Sequence, residues 1–326
     1  MGDPVYFSVK GGANPHTRNI LGLKKRVDPE RARRQWHTMA RTLLAHGAEV
    51  LVVEPHEHLP GLVYPANAGF LYPLEGSPAG RKVFHLAKLL PSRAPERNVY
   101  QSFIRSLGFL TNEIEARFEG EADFFPAGAY MLFTHGPIER QRFVPTIGLP
   151  PWKRVYGFRS DDRALGELGQ IAVGAQILSL ELCLEAHYHG DTVLCSFGPR
   201  REFVLAYTDG LTRQSREELR SAFASNLVEL QAADAALYAA NSFQVEYHGK
   251  YYLFMPLGVG DALRQQIRER GVEPVLIDVS EFLAKGGGSI KCMILDLGPS
   301  AEQPTGAEAA SFRTQRSYGQ LFEMES

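Results

Sequence analysis

LLAHGAEVLVVEP (43–55) and IRERGVEPVLIDV (267–279) read the same way: the end of an amphipathic helix, a glycine, then a β-rich apolar run. A helix stops cleanly on a left-handed residue, and glycine takes that conformation without a Cβ penalty. IRSLGFLTNEIE (104–115) is a third, weaker copy. Recurrence of one helix–glycine–strand unit predicts an α/β chain assembled from repeats, although ordinary α/β folds also use the unit.

The surrounding sequence supplies the helices. Asp28-Pro29 is an N-cap followed by proline at the first helical position. Trp36, Met39, Ala40, Leu43 and Leu44 then follow the spacing of a buried face, and Gly47 ends it. Ser215 and Glu218 have capping-box spacing, with Leu219, Phe223, Leu227 and Leu230 as the stripe behind them. A further helix is expected from near Asp261 to Gly271, with Leu263 and Ile267 inward. Residues 301–326 are poor in large apolar side chains and read as a tail, either partly disordered or docked as a short helix through Tyr318, Leu321 and Phe322. Nothing else in the composition marks a boundary, so 1–300 is taken as one domain.

Bulk properties exclude several functions. The 326 residues carry a formal net charge of −2, with 44% hydrophobic and 22% charged side chains. That balance gives no electrostatic pull toward nucleic acid or an anionic membrane. No apolar run is long enough to span a bilayer, and the first residues do not read as a signal peptide. Three cysteines, Cys183, Cys195 and Cys292, fit a reducing compartment and a cytoplasmic protein better than a disulfide framework. A homo-oligomer is compatible with the sequence.

Four segments carry chemistry. KGGGSIKCMILDL (285–297) places Cys292 after three glycines in a strand-like run, either as a buried structural cysteine or as a nucleophile. In HYHGDTVLC (187–195), a strand would put His187, His189 and Asp191 on one face. That face is a zinc site, an acid/base histidine beside a binding carboxylate, or merely polar surface. FEGEADFF (118–125) clusters Glu119, Glu121 and Asp123, which repel one another unless they meet solvent or a cation. VYPANAGF (63–70) passes Asn67 between strand-like flanks.

Their order along the chain resembles the guanidino-group-modifying enzymes, a superfamily that includes arginine deiminases, dimethylarginine dimethylaminohydrolases, amidinotransferases and arginine dihydrolases. The resemblance runs from about Asn14 to Leu297. It implies a five-bladed, pseudo-symmetric α/β propeller of ββαβ-type modules with the site in its central channel. It implies Cys292 as nucleophile, His189 as acid and base, and Glu119 and Asp191 as the carboxylates that grip a guanidinium. Asn67 stands where deiminases usually carry aspartate, and PSRAPE, FRSD and ANPH place Arg93, Arg159 and Asn14 among the substrate-binding residues, with Asp123 beside Glu119. Gly190 and Ala122 depart from the family pattern, the first from a larger apolar residue and the second from glycine.

The implied reaction is attack on the guanidinium carbon of arginine or a close derivative through an S-alkylthiouronium, with no metal or organic cofactor. The expected partner is a small arginine-like molecule. An amide at Asn67 both donates and accepts, so it suits a neutral ureido group and points to a dihydrolase making ornithine, carbon dioxide and two ammonia. A deiminase, a dimethylarginine hydrolase, an amidinotransferase and a catalytically silent arginine-binding protein are the alternatives.

Overall fold

The computed structural model describes residues 1–10, 14–19, 23–139, 142–144 and 153–322. Helix α1 (Pro29–Ala45) starts as its sequence dictates, the Asp28 side chain accepting from the Arg31 N–H. Strands β1 (Gly69–Tyr72) and β2 (Val83–Leu86) are antiparallel, α2 (Glu96–Ser106) crosses back, and β3 (Leu110–Glu113) pairs parallel with β2. The order recurs in β4 (Phe124–Ala127), β5 (Tyr130–His135), α3 (Ala164–Ile171) and β8 (Gln176–Glu181), with a small hairpin, β6 (Arg142–Val144) and β7 (Lys153–Val155), inserted before α3. It recurs again in β9 (Leu194–Phe197), β10 (Phe203–Ala206), α4 (Arg213–Phe223) and β11 (Leu227–Glu229). After the short α5 (Ala232–Ala236), the fourth copy is β12 (Phe243–Tyr247), β13 (Lys250–Pro256), α6 (Asp261–Arg268) and β14 (Val272–Ile277). Helices α7 (Ser280–Gly286), α8 (Ala307–Arg316) and α9 (Tyr318–Phe322) complete the chain.

The fifth module is split between the chain ends. Val53 donates to the Met1 carbonyl at 2.9 Å, Gly2 bridges Val53 in parallel, and Leu51 bridges Ser317. The VLVVEP run is therefore not a strand in a local ladder, because its partners come from the termini. The other two copies of the unit do form ladder strands: Gly108 (φ +87°) leads into β3 and Gly271 (φ +77°) into β14.

Trp36, Met39 and Leu43 of α1 are buried against Phe254, Phe282 and Tyr318. Complete burial of each such side chain contributes ~1.5–3 kcal/mol. Tyr318 docks α9, its hydroxyl 2.8 Å from His37 Nδ1, and the Phe322 ring lies 5.6 Å from that of Trp36. The region from 307 to 322 is thus helical and packed.

Two local expectations are corrected. Helix α4 is capped by Thr212, whose side chain accepts from the Ser215 N–H, so Ser215 lies inside the helix. Its hydroxyl accepts from the Glu181 N–H at 2.8 Å, which is why a cap-type residue is buried there. The apolar stripe also does not continue as helix to Leu230: α4 ends at Phe223, Ala224 has φ +43°, and Leu227 begins β11. Among the described residues no helix is long and apolar enough to cross a membrane.

Candidate active site

A single turn of 3-10 helix precedes the first strand of each of the first three sheets: Pro65–Ala68 before β1, Gly120–Ala122 before β4 and Gly190–Thr192 before β9. A fourth turn, around 238–242, precedes β12, and a fifth, Lys291–Met293, carries the cysteine. Hydrogen bonds join them. Gly190 N donates to Asp123 Oδ1 at 2.8 Å, Asn241 Nδ2 donates to the Asp191 carbonyl at 3.2 Å, and Cys292 N donates to Asn241 Oδ1 at 3.1 Å. Residues as distant as 67 and 292 therefore meet because equivalent turns of repeated modules point at one centre.

At that centre His189 Nε2 lies 2.8 Å from Glu119 Oε2 and 3.0 Å from Asn67 Nδ2, while Asn67 Nδ2 also donates to Glu119 at 3.2 Å. Cys292 Sγ donates to Asp191 Oδ2 at 3.4 Å and receives a hydrogen bond from Asn241 Nδ2 at 3.1 Å. The groups are almost closed to solvent: Glu119 is 1% exposed, Asp191 2%, and His189 and Cys292 3% each. Three of their buried polar atoms have no hydrogen-bond partner: Asp191 Oδ1, His189 Nδ1 and the Ser289 hydroxyl beside the cysteine turn. Buried polar atoms are normally satisfied, so this set is prepared for a polar guest.

The charges follow from these contacts. Burial would raise Glu119, but the hydrogen bond and charge of His189, with Arg159 and Arg93 behind, hold it at about 2. Burial works against a charged His189. The carboxylates of Asp123, Glu119 and Asp191 outweigh it and hold the imidazole above its ordinary value. Burial pushes Asp191 up to about 6, against the pull of His189 and Lys291. Burial and Asp191 push the Cys292 thiol well above its ordinary value, although Ser289 and Asn241 favour thiolate. The resting site holds a histidine–carboxylate pair and a neutral thiol.

The strand expected through HYHGDTVLC breaks at the turn 190–192, and with it the shared face. His187 is separate: its ring packs 5.1 Å from Tyr207 and 5.0 Å from Tyr238, and burial lowers it to about 4. Among the described residues no group of three or more His, Cys, Asp or Glu is placed to hold a metal ion. The cysteine run is likewise a 3-10 turn rather than a strand. The triple glycine before it admits Tyr64, since a Cβ on Gly286 would meet the Tyr64 hydroxyl at 2.0 Å and one on Gly288 its ring at 2.4 Å.

FEGEAD is buried, and its three carboxylates serve different partners. Glu119 faces His189, and Glu121 pairs with Lys291. Asp123 accepts from Thr134 Oγ1 (2.7 Å), Ser160 Oγ (2.6 Å) and Gly190 N (2.8 Å). Asp123, expected among the substrate-binding residues, thereby holds the His189 turn in place. Gly190 is explained by the same contact: a Cβ there would meet Thr134 Oγ1 at 2.1 Å, so the departure from a larger residue accommodates Thr134.

Arg93 directs Nε and Nη2 at the Glu96 carboxylate, and Nη2 also reaches the Gly61 and Tyr64 carbonyls. Arg159 lies with its guanidinium carbon 4.7 Å from the Tyr188 ring centroid and donates to the Gly157 carbonyl. Asn14 Nδ2 donates to Tyr188 Oη (3.2 Å) and the Gly286 carbonyl (2.8 Å), tying the N-terminal segment to the glycine loop instead of presenting a free amide. Sequence reasoning missed two residues: Asn241, which grips the cysteine, and Tyr188, whose hydroxyl donates to the Gly287 carbonyl at 2.7 Å. YAANS (238–242) is the signal for the first, a segment occupying the turn position before the last sheet.

Known proteins resemble this chain over most of its length. The eukaryotic N,N-dimethylarginine dimethylhydrolase family matches residues 172–298. The N(G),N(G)-dimethylarginine dimethylaminohydrolase of Mycobacterium tuberculosis is 29% identical over 300 residues, covering 92% of this chain and 85% of that protein. The bifunctional arginine dihydrolase/ornithine cyclodeaminase of a Nostoc species is 27% identical over 298 residues, 90% of this chain but 37% of that longer protein. The N-terminal domain of a cyanobacterial arginine dihydrolase, solved with its substrate, superposes with a TM-score of 0.75 at 22% identity, covering 91% of this chain and 97% of that one. That likeness establishes the five-bladed α/β propeller, whose fifth blade is the one split between the chain ends. With the family match and the sequence relatives, it makes the chain similar to the guanidino-group-modifying enzymes.

Proposed function

We propose that this protein is a cysteine-dependent hydrolase of the guanidinium carbon of arginine, acting twice to give ornithine, carbon dioxide and two ammonia. One observation carries the reading: the Cys292 thiol lies against Asp191 while Glu119, His189 and Asn67 converge beside it, so a nucleophile, two carboxylates, an acid/base and an amide share one buried centre. A planar guanidinium satisfies that centre. Its N–H groups pair with Glu119 and with Asp191, including the Oδ1 atom that lacks a partner.

The resting thiol is not reactive, since burial and Asp191 disfavour thiolate. An arriving cation reverses both effects by neutralising the carboxylates and stabilising the sulfur anion, so the substrate helps ionise its own nucleophile. The thiolate attacks the central carbon, and His189 gives its proton to the departing nitrogen, leaving an S-alkylthiouronium and ammonia. Water then attacks, His189 takes its proton, and the C–S bond breaks to release the ureido product. Asn67, an amide, holds that neutral group for a second attack, which expels the second ammonia; water then frees the N-carbamate of ornithine from sulfur, and the carbamate loses carbon dioxide. The guanidinium groups of Arg93 and Arg159 are the cations for the substrate carboxylate. The partner is thus a small guanidino compound, and a cytoplasmic location fits the sparse, unpaired cysteines.

The test is the ammonia released per arginine consumed. Two, with ornithine as the product and added citrulline also consumed, supports the proposal; one, with citrulline accumulating, leaves a deiminase. The family match over 172–298 and the mycobacterial relative support a second reading, hydrolysis of N-methylated arginine. Release of methylamines at a higher kcat/KM than ammonia from arginine would favour it.

A further inference from the structure

Glu121 is the carboxylate of FEGEAD that the reaction leaves unused. It is 5% exposed and lies in the 3-10 turn that follows Glu119. One of its oxygens, Oε1, is fastened twice to the segment of the nucleophile: it accepts from the Lys291 ammonium and, at 2.9 Å, from the Asp296 N–H. Lys291 immediately precedes Cys292 and Asp296 lies beyond it, so one carboxylate holds the cysteine turn from both sides. The Lys291 ammonium also donates to the Ile294 carbonyl at 3.2 Å, which closes the turn on itself. The turn beside Glu119 and the turn of Cys292 are therefore joined by an ion pair whose members are 170 residues apart in the chain.

The pair lies behind the site. Lys291, Glu121 and Asp191 line a cleft of about 680 Å³, and among the described residues Cys292, His189, Glu119 and Asn67 are not part of its wall. Asp191 therefore has two neighbourhoods. His189, Asp123 and the Cys292 thiol act on it from the site, and Lys291 acts on it from the cleft. Tyr188, Tyr238 and Cys195 also lie within reach of its charge. Of these groups only His189 and Lys291 bring positive charge, and His189 is already hydrogen-bonded to Glu119 at 2.8 Å. Glu121 itself is faced by Lys291, Asp296 and the N-terminal amine.

We propose that Lys291, anchored by Glu121, is a positioning residue for the reaction: it holds the cysteine turn in register with the Glu119 turn and sets a permanent positive charge behind Asp191. The inference rests on the proposed function. Asp191 must be a carboxylate when the guanidinium arrives, yet it is buried, and burial favours its protonated form. His189 cannot compensate steadily, because its proton leaves with the departing nitrogen and returns from water in every round. An ammonium that takes no part in proton transfer compensates throughout. Glu121 in turn keeps that ammonium from being a buried, unpaired charge.

The experiment compares full-length Lys291→Met, Lys291→Arg and Glu121→Gln with the unaltered protein. It reads the Asp191 carboxyl by carbon-13 NMR titration and kcat/KM for arginine across pH. The Asp191 signal is identified by its loss in Asp191→Asn. Removing a nearby cation disfavours a carboxylate, so in Lys291→Met the NMR midpoint and the acidic limb of kcat/KM both move up by about half a pH unit or more. The loss of kcat/KM on the acid side then exceeds that above the limb by about threefold or more. Lys291→Arg keeps the charge and returns both readings to within about 0.2 unit of the unaltered protein. Glu121→Gln breaks the ion pair but keeps the ammonium, so neither reading moves up. Lys291→Gln, which can still hydrogen-bond to Glu121, takes the place of Lys291→Met should that variant fail to fold. An unmoved Asp191 midpoint without the ammonium overturns the proposal. So does an NMR shift without a shift of the limb, or an equal upward shift in Lys291→Arg or Glu121→Gln, which marks lost structure rather than lost charge. Absence of turnover of any guanidino compound by the unaltered protein defeats the proposed function instead, and the NMR midpoint then decides alone whether Lys291 governs Asp191.

Discussion

Asn241→Ala is the most informative single change, because Asn241 was not legible as a functional residue and the geometry gives it three contacts. Its Nδ2 donates to Cys292 Sγ at 3.1 Å and to the Asp191 carbonyl at 3.2 Å, and its Oδ1 accepts the Cys292 N–H at 3.1 Å. A hydrogen bond to a charged group is worth ~1.5–3 kcal/mol, and one pKa unit corresponds to ~1.4 kcal/mol. Loss of the bond to sulfur therefore raises the Cys292 pKa further by about 1–2 units and lowers turnover about 10- to 150-fold. Leaving the buried Cys292 N–H without an acceptor costs a further ~1–3 kcal/mol of stability. The assay is the rate of Cys292 alkylation by iodoacetamide across pH, read beside arginine turnover and a urea melt. The alkylation profile should move to higher pH by that amount. An unshifted profile, or turnover within twofold of the unaltered protein, refutes the reasoning.

Asp191→Asn should separate ionisation from catalysis: its charge is among the groups that raise the Cys292 thiol, so alkylation without substrate quickens. Arginine turnover nevertheless falls about 10²–10⁴-fold, because a buried guanidinium loses one carboxylate at ~3–5 kcal/mol; slower alkylation would contradict this. The Glu119 carboxyl, held at about 2 against an ordinary 4.5, stabilises the fold by ~3 kcal/mol above pH 4.5 and loses that contribution as pH falls toward 2. In urea melts Glu119→Gln should be less stable than the unaltered protein at pH 5, with the gap closing toward pH 2; a constant gap would show that the charge is not the cause. Gly190→Ala drives a Cβ into Thr134 Oγ1 and should cost ~1–3 kcal/mol, most of it recovered in Gly190→Ala/Thr134→Ala. Additive losses in that pair would place the strain elsewhere.

Much of the site was legible because its members are chemically conspicuous and sit in short segments whose order could be matched. Cys292 after three glycines, the histidine and aspartate of YHGDT and the carboxylates of FEGEAD each leave such a signature. Asn241 leaves only the segment YAANS, which names no chemistry: a neutral amide that positions sulfur resembles any turn asparagine until its partner, 51 residues on, is known. The hold of Asp123 on the His189 turn was hidden for a related reason. Sequence shows that three carboxylates cluster, but only Thr134, Ser160 and Gly190 decide which of them is saturated. The fold was legible where a module is local, as in the passage from α6 through Gly271 to β14. It was not legible at 49–53, whose partners are Met1, Gly2 and Ser317. A pattern within a window carries no information about a pairing that joins the two ends of the chain.

The convergence of equivalent turns has an electrostatic consequence that makes the choice of substrate physical. Three carboxylates, Glu119, Asp123 and Asp191, lie within the influence of a single histidine. Asp123 is satisfied by three donors and Glu119 by His189 and Asn67, whereas Asp191 has only the cysteine thiol on one oxygen and nothing on the other. A buried carboxylate in that state is costly, which is what its rise to about 6 expresses. Relief requires a proton or a cation. A proton leaves the thiol neutral and the site idle; a planar cation both satisfies Asp191 and favours the thiolate beside it. The affinity that draws a guanidinium in and the ionisation that starts the reaction therefore have the same source, and a neutral ligand can share in it only through the amide at Asn67.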